Sequence, residues 1–318
     1  MSQVALIGAG VAGLLCARDL NRLGIACTVF EKSRGLGGRL ARRQHAWGEL
    51  DIGAPFLTVQ TPPPEWGQLE EQGLLVARRF SACRWQDGAV QTLPDQQHYL
   101  VAPSNNGLCH YLAEGLDIRR ACRVASVEGG KLIDEHQQFL GDFAGVVLAA
   151  PAPQSQALLP AASSLNIDCH WQPGWTLLLQ FDAPLDLPDI VEFVGHPLFQ
   201  RLVHLSSLPG RDHRACYSLQ LLPAACEALQ GKVLEATLLP CLEALGQLVH
   251  LPVLLHCDRQ RWQLVSGQRM QMPDAARIDE KQRIVLAGDW CSGGGVEGAW
   301  HSAGLAVAQL SQWQSACH

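Results

Sequence analysis

Three glycines and one acid, set at fixed distances, are the residues whose chemical use is plainest. Gly8, Gly10 and Gly13 form a Gly-x-Gly-x-x-Gly run, and Glu31 lies downstream of them. Gly8 permits a tight turn. Gly10 lets the backbone approach a diphosphate without a clashing Cβ, and Gly13 lets a helix pack closely on a strand. The amides of Val11 and Ala12 open that helix, so its free N–H groups and positive dipole end face the phosphates. Glu31 can accept hydrogen bonds from both ribose hydroxyls and would repel a 2′-phosphate. The elements that must hold these residues are readable alongside them. Val4-Ala5-Leu6-Ile7 reads as a buried strand, residues 14–23 as a helix stopped by Gly24, and Cys27-Thr28-Val29-Phe30 as a second strand ending on the acid.

Two further segments choose among the dinucleotides. Lys32-Ser33-Arg34-Gly35-Leu36-Gly37-Gly38-Arg39 resembles the glycine-rich Gly-Gly-Arg segment of the amine oxidase and FAD-dependent oxidoreductase families. That resemblance implies a second loop closed over the diphosphate, with Gly38 giving room and Arg39 supplying a two-pronged donor. Near the other end, residues 283–287 read as a strand that Gly288-Asp289 terminates. Gly293-Gly294-Gly295-Val296-Glu297-Gly298-Ala299 then opens an apolar helix expected to run to about residue 310. This looks like the closing element of an FAD domain, with Asp289 on a ribityl hydroxyl and the helix N-terminus aimed at the flavin N1 and O2 edge. Asp289 read only as a helix cap remains open. No redox cysteine pair is present.

The chain has 318 residues, of which 47% are hydrophobic and 17% charged, so a sizeable core is expected and long disordered tracts are not. The net charge of −6 argues against binding nucleic acid through a general positive field. Twelve scattered cysteines include no Cys-x-x-Cys pair, which argues against a zinc site and fits reduced thiols in a cytoplasmic protein. The apolar start lacks the basic flank of a signal peptide, and no apolar run reaches the roughly 18 residues of a membrane span. Breakers around Thr61-Pro62-Pro63-Pro64 and alternating residues at 75–101 suggest an insertion. A short helix is expected at 65–73, helices at 105–115, 223–230 and 232–246, and strands at 120–127, 145–150, 175–181 and 215–219. The fold class is therefore α/β: a Rossmann-like, doubly wound FAD-binding domain of residues 1–60, 98–155 and 250–318. A mixed-sheet substrate domain of residues 61–97 and 156–249 is inserted in it.

The chain resembles the renalase family, its bacterial branch in particular. The residues that carry the likeness are Phe30-Glu31-Lys32-Ser33-Arg34-Gly35 with Gly37-Gly38-Arg39, Leu50-Asp51-Ile52-Gly53-Ala54-Pro55-Phe56, and Leu148-Ala149-Ala150-Pro151-Ala152-Pro153-Gln154. They continue with Pro173-Gly174-Trp175, Leu208-Pro209-Gly210-Arg211, Gln260-Arg261-Trp262, Gly288-Asp289-Trp290-Cys291 and Val296-Glu297-Gly298-Ala299-Trp300. The resemblance implies FAD held by the residues named above together with Lys32, Gly53, Ala54, Val124, Gly288, Val296, Glu297 and Ala299, and with no histidine or cysteine in an obvious attachment motif the FAD is expected to be non-covalent. Val124 is placed beside the adenine. It implies oxidation of the 2- or 6-dihydro isomers of NAD(P)H by hydride transfer to flavin N5, with dioxygen as acceptor and hydrogen peroxide as product. Three stretches depart from that pattern: Pro103-Ser104-Asn105-Asn106-Gly107, His204-Leu205-Ser206-Ser207, and residues 258–265. They lie away from the FAD fingerprints and bear on the substrate.

A dihydropyridine gives up hydride without prior loss of a proton, so positioning is most of the task. Flat rings call for aromatic walls, and the candidates are Phe56, Trp175, Trp262 and Trp290, each of which could instead be core. Arg261 could meet a substrate phosphate, and His204 is a further pocket candidate. No acid–base pair with a convincing spacing is found. Two other functions stay open: a flavin amine oxidase, and a non-catalytic flavoprotein whose inserted domain binds a partner. Only four lysines exist, Lys32, Lys131, Lys232 and Lys281, and none lies in a segment expected at the flavin face, which counts against the amine reading.

Overall fold

The computed structural model describes residues 3–167, 171–207, 215–267 and 271–316. The first part runs through β1 (Val4–Ile7), α1 (Val11–Arg22), β2 (Cys27–Phe30), the hairpin β3 (Arg42–His45) and β4 (Gly48–Asp51), and α2 (Trp66–Glu71). A long hairpin follows, β5 (Leu75–Gln86) and β6 (Ala89–Val101), then α3 (Asn106–Ala113) and β7 (Asp117–Arg119). Next come the meander β8 (Val124–Glu128), β9 (Lys131–Asp134) and β10 (Phe139–Asp142), then β11 (Gly145–Leu148) and α4 (Ala152–Leu158). The remainder is β12 (Trp171–Phe181), β13 (Ile190–Val194), β14 (Phe199–His204), β15 (Cys216–Leu221), α5 (Pro223–Ala228), α6 (Leu234–Gly246), β16 (Leu254–Gly267), β17 (Ile278–Asp279), β18 (Ile284–Leu286) and α7 (Gly295–Ala316).

Four-residue apolar runs make the first sheet. β1, β2 and β11 are buried at every position, as strands covered on both faces must be. The order is β17-β18-β11-β1-β2-β7, parallel from β18 to β7, with β17 antiparallel at one edge. One face carries α1, α3 and α7 on a core that includes Leu14, Leu20, Leu108, Ala303 and Leu310. The other face carries Phe30, Phe143, Leu148, Leu286 and Trp290. This is the expected doubly wound domain, and in such sheets ligands lie at the carboxyl ends of the strands. The helix expected over 14–23 starts earlier, at Val11, with Gly10 as its N-cap residue. The strand expected at 120–127 begins only at Val124, as β8, because Ala121 at φ +51° turns the chain between β7 and β8.

The second sheet has seven strands in the order β16-β12-β15-β14-β13-β5-β6. Its pairs are antiparallel except β13 with β5, so it is mixed, as expected. Alternation along β12 sorts its two faces. Leu177, Leu179 and Phe181 join Cys226, Leu238, Cys241 and Leu245 of α5 and α6. Leu178 points the other way, into a seam with Leu50, Ile52, Phe56, Phe80 and Leu100. That seam packs the second sheet against the β3–β4 hairpin and the loop that follows it.

The expected domain limits need two corrections. Residues 250–267 are expected in the FAD-binding domain, yet β16 pairs along β12 and completes the second sheet. Residues 61–75 were grouped with the insertion, yet Trp66, Leu69 and Leu75 lie in the core under α1 and α7. The Trp66 indole packs edge-on against Tyr99 and Trp300, so the proline run is a loop inside the first domain's packing. The Leu208-Pro209-Gly210-Arg211 segment lies outside the described residues.

Candidate functional site

The glycine run sits where β1 ends and α1 begins. Gly8 is at φ +113°, and a Cβ there would meet the Ala149 carbonyl oxygen at 3.0 Å. A Cβ on Gly13 would lie 2.0 Å from the Gly8 carbonyl oxygen, so close helix–strand packing demands that glycine. Gly10 differs: a Cβ there would meet nothing within 4 Å. The protein's own packing gives no reason for a glycine at this place. A diphosphate resting on the N-terminal amides of α1 does, so the cradle fits the pyrophosphate of FAD.

Around it the second glycine loop closes. The Gly37 amide donates to the Ala9 carbonyl at 3.1 Å, and Gly38 faces the Gly10 Cα. Glu31 is 9% exposed; one carboxylate oxygen accepts from the Ala9 amide (2.9 Å) and the other from the Ser33 amide (2.7 Å). Those bonds fix the carboxylate at the strand end and leave lone pairs for ribose hydroxyls. Lys32 is exposed beside it, and burial of its stem, with Arg123 nearby, lowers its pKa. Val124 is buried at the start of β8, next to the turn whose Cys122 amide donates to the Glu31 carbonyl. Gly53 closes on Arg39 so tightly that a Cβ would sit 2.0 Å from the Arg39 carbonyl oxygen, which also accepts from the Ala54 amide at 2.9 Å.

Arg39 and Asp289 meet. The guanidinium donates to both carboxylate oxygens, at 3.1 and 2.5 Å, and Asp289 is 8% exposed. The pair ties the second glycine loop to the turn after β18, a span of sequence that no local signal connects. Arg39 also lies 5.5 Å from the Trp171 ring centroid. Gly288, at φ +143°, donates its amide to Ser302 Oγ (3.0 Å), which holds the turn on α7. Val296 and Ala299 are buried in the first turns of that helix. The Glu297 side chain does not turn toward the cradle: its carboxylate accepts from the amides of Gln60 and Thr61, both at 3.0 Å, and straps that loop to the helix.

The pocket candidates separate by sheet face. Phe56 is 6% exposed in the seam, and Trp262, on the same side as Leu178 by register, packs at its edge. Trp175, Arg261 and His204 stand on the opposite face. Trp175 is packed with the α5 and α6 side chains under the Arg259 guanidinium, and Arg261 is its register partner. His204 stacks on Tyr217 of that same core at 4.5 Å. Their places as pocket walls are corrected by strand parity: in these strands odd β12 and β16 positions, and even β14 positions, point away from the cofactor side. Trp290 is 2% exposed beneath the first sheet, donating to the Ala150 carbonyl at 3.1 Å.

Sequence reasoning missed several residues. Asn106 donates to the Leu36 carbonyl at 2.7 Å and braces the glycine loop, while Asn105 accepts from Val101 and donates to Ala54. Two adjacent asparagines at a helix start were the available signal. His98, stacked on Phe56 at 3.9 Å, and Arg201, over the other reach of that ring at 5.7 Å, carried no motif. Burial, followed by the Arg201 charge, pushes the His98 pKa down to about 4. Among the described residues no cluster of three or more His, Cys, Asp or Glu could hold a metal, and no helix is long and apolar enough to cross a membrane.

Residues 6–69 match the model of an NAD(P)-binding Rossmann-like domain, and residues 85–311 match that of the flavin containing amine oxidoreductases. Solved structures share the fold at low identity. A protein assigned as a protoporphyrinogen oxidase from Exiguobacterium sp. 255-15 aligns at a TM-score of 0.76 and 14% identity, over 98% of this chain and 99% of that one. A redesigned putrescine oxidase aligns at 0.75 and 13%, over 98% and 99%. A reduced UDP-galactopyranose mutase aligns at 0.73 and 10%, over 98% and 96%.

Proposed function

This chain belongs to the flavin containing amine oxidoreductase family and has FAD as its cofactor, and from that premise we propose that it is a renalase-like oxidase of dihydropyridine dinucleotides. Its substrates would be the 2- or 6-dihydro isomers of NAD(P)H, with dioxygen as the final acceptor and hydrogen peroxide as product. FAD supplies the hydride-accepting chemistry. The chain's share is to position a flat donor ring at the seam, exclude water with Phe56 and its neighbours, and hold the cofactor through the glycine loops and the Arg39–Asp289 pair.

The observation that carries the reading is that none of the four lysines stands beside the seam. A protonated amine must lose a proton before it can give up hydride, and a dihydropyridine need not. Lys131 stands on the small meander, Lys232 lies on the α6 side of the second sheet, Lys281 is in the turn before β18, and Lys32 is at the ribose end. His98, with its depressed pKa, is neutral near pH 7 and already engages Thr58 and Gln96. The family's name keeps amine oxidation as the second reading. Anaerobic titration of the yellow holoenzyme decides between them. Borohydride-treated NAD, which contains the isomers, is expected to bleach the flavin at once, while ordinary NADH and putrescine leave it yellow. Air should then restore the colour with release of peroxide. Bleaching by the amine alone would overturn the proposal.

A further inference from the structure

We propose that Arg201 is the anion-recognising residue of the substrate site, its guanidinium receiving a phosphate or carboxylate group of the substrate above Phe56. The inference deepens the reading just given and rests on it for where the reacting ring lies.

Cross-strand register carries it. Arg84, Glu192, Arg201, Gln220, Thr176 and Gln260 are paired in turn across six neighbouring strands. Directly opposed residues share a face of a sheet. Two residues along each strand, the next row on that face holds Ala82, Ile190, Val203 and Leu178, which pack under Leu50, Ile52 and Phe56. The polar row therefore lies on the side turned to the cofactor domain, beside the seam.

Within the row, among the described residues, Arg201 and Arg84 each keep a buried Nε without a partner, and Arg201 is the one that stands over Phe56. Its guanidinium carbon stands 5.7 Å from the Phe56 ring centroid, and its Nε is buried with no hydrogen-bond partner among the described residues. The Glu192 carboxylate is 3.8 Å away, outside hydrogen-bond reach, and the Arg201 side chain keeps 34% of its surface open. Arg84, on the other side of Glu192 in the row, also has a buried Nε without a partner. Two guanidiniums flank one carboxylate, so the group is net positive, and His98 adds no balancing charge near pH 7. A planar fork of donors in such a place suits two oxygens of an anion and repels an ammonium group. Phe56 follows closely on Gly53, whose backbone closes on Arg39. A substrate with its ring at the cofactor and its anionic group on Arg201 would therefore span Phe56.

The test uses the FAD-loaded protein as wild type, Arg201→Gln and Arg201→Lys. Pyrophosphate and succinate are titrated separately, read by the shift of the flavin absorption bands and by competition with borohydride-treated NAD. Wild type is expected to bind one of the two, which tells phosphate from carboxylate. Arg201→Gln should weaken that binding about 10- to 100-fold, with Arg201→Lys in between. KM for the reduced dinucleotides should rise by the same factor while kcat changes little. Unchanged FAD content in both variants separates this from misfolding, and Arg201→Lys stands alone if Arg201→Gln loses FAD. Binding of neither anion by wild type, or equal binding by wild type and both variants, overturns the proposal. Anion binding needs no turnover, so a protein inert toward dihydropyridines still tests Arg201. A protein active toward them with a KM indifferent to Arg201 refutes this proposal alone.

Discussion

Gly10 and Gly13 are spelled alike in the fingerprint but do different work. A methyl on Gly13 strikes the Gly8 carbonyl, whereas one on Gly10 enters open space. Gly13→Ala should destabilise the apoprotein by about 1–3 kcal/mol, read by urea unfolding. Gly10→Ala should leave the apoprotein's unfolding within about 0.5 kcal/mol of wild type and weaken FAD binding instead, read by quenching of flavin fluorescence. Equal behaviour of the two variants would remove the argument for a ligand at Gly10. His98 gives a pH prediction. Its folded pKa, about 4, lies below its ordinary value of 6.5, first through burial and then through Arg201. Between those values the unfolded chain binds the extra proton, so stability must fall as pH drops from 6.5 toward 4, by about 3 kcal/mol in all, and the loss ends below 4. His98→Gln should flatten that part of the stability–pH curve; an unchanged slope would assign it to other groups.

Short straps position the longer elements. Glu297, in the first turn of α7, holds the amides of Gln60 and Thr61, so the loop after Phe56 moves with the helix that closes the cofactor site. In Glu297→Ala those two amides should exchange hydrogen at least about tenfold faster, with a stability loss of about 1 kcal/mol. Unchanged exchange at 60 and 61 would show that the loop is held otherwise. The β3–β4 hairpin makes a second strap, through Arg43 to Asp258 and Gln260 of β16. It fastens the edge of the second sheet to the first domain, and this is why β16 could look like part of either.

The second sheet meets the β3–β4 hairpin and the loop after it in an apolar seam in which Leu50 is fully buried. Leu50→Ala should cost about 2–5 kcal/mol and loosen the joint between the layers. Calorimetry is expected to resolve two transitions in that variant where wild type gives one; a single transition lowered in temperature would mean that the sheets remain coupled elsewhere. FAD binds only the folded form, so free FAD at about 100 times its dissociation constant should add about 2.7 kcal/mol to the stability of the wild-type protein.

What the sequence determined by itself was local. The glycine run, Glu31, the Gly37-Gly38-Arg39 loop, the buried strands and the apolar helices are readable because turn chemistry and periodicity act within a few residues. The doubly wound class and the flavin cofactor followed from them. What needed tertiary structure was every relation between distant segments. The pairing of Arg39 with Asp289, the strap from Glu297, the allegiance of β16 and the gathering of His98 and Arg201 around Phe56 span long stretches of chain. The face of each strand was the decisive case. Trp175 and Trp262 look equally suited to a pocket wall in the sequence, but register with neighbouring strands sends one into the helix-covered core and leaves the other beside the seam. A strand's own residues fix which of them alternate, and only the layers packed on either side fix which set faces the cofactor.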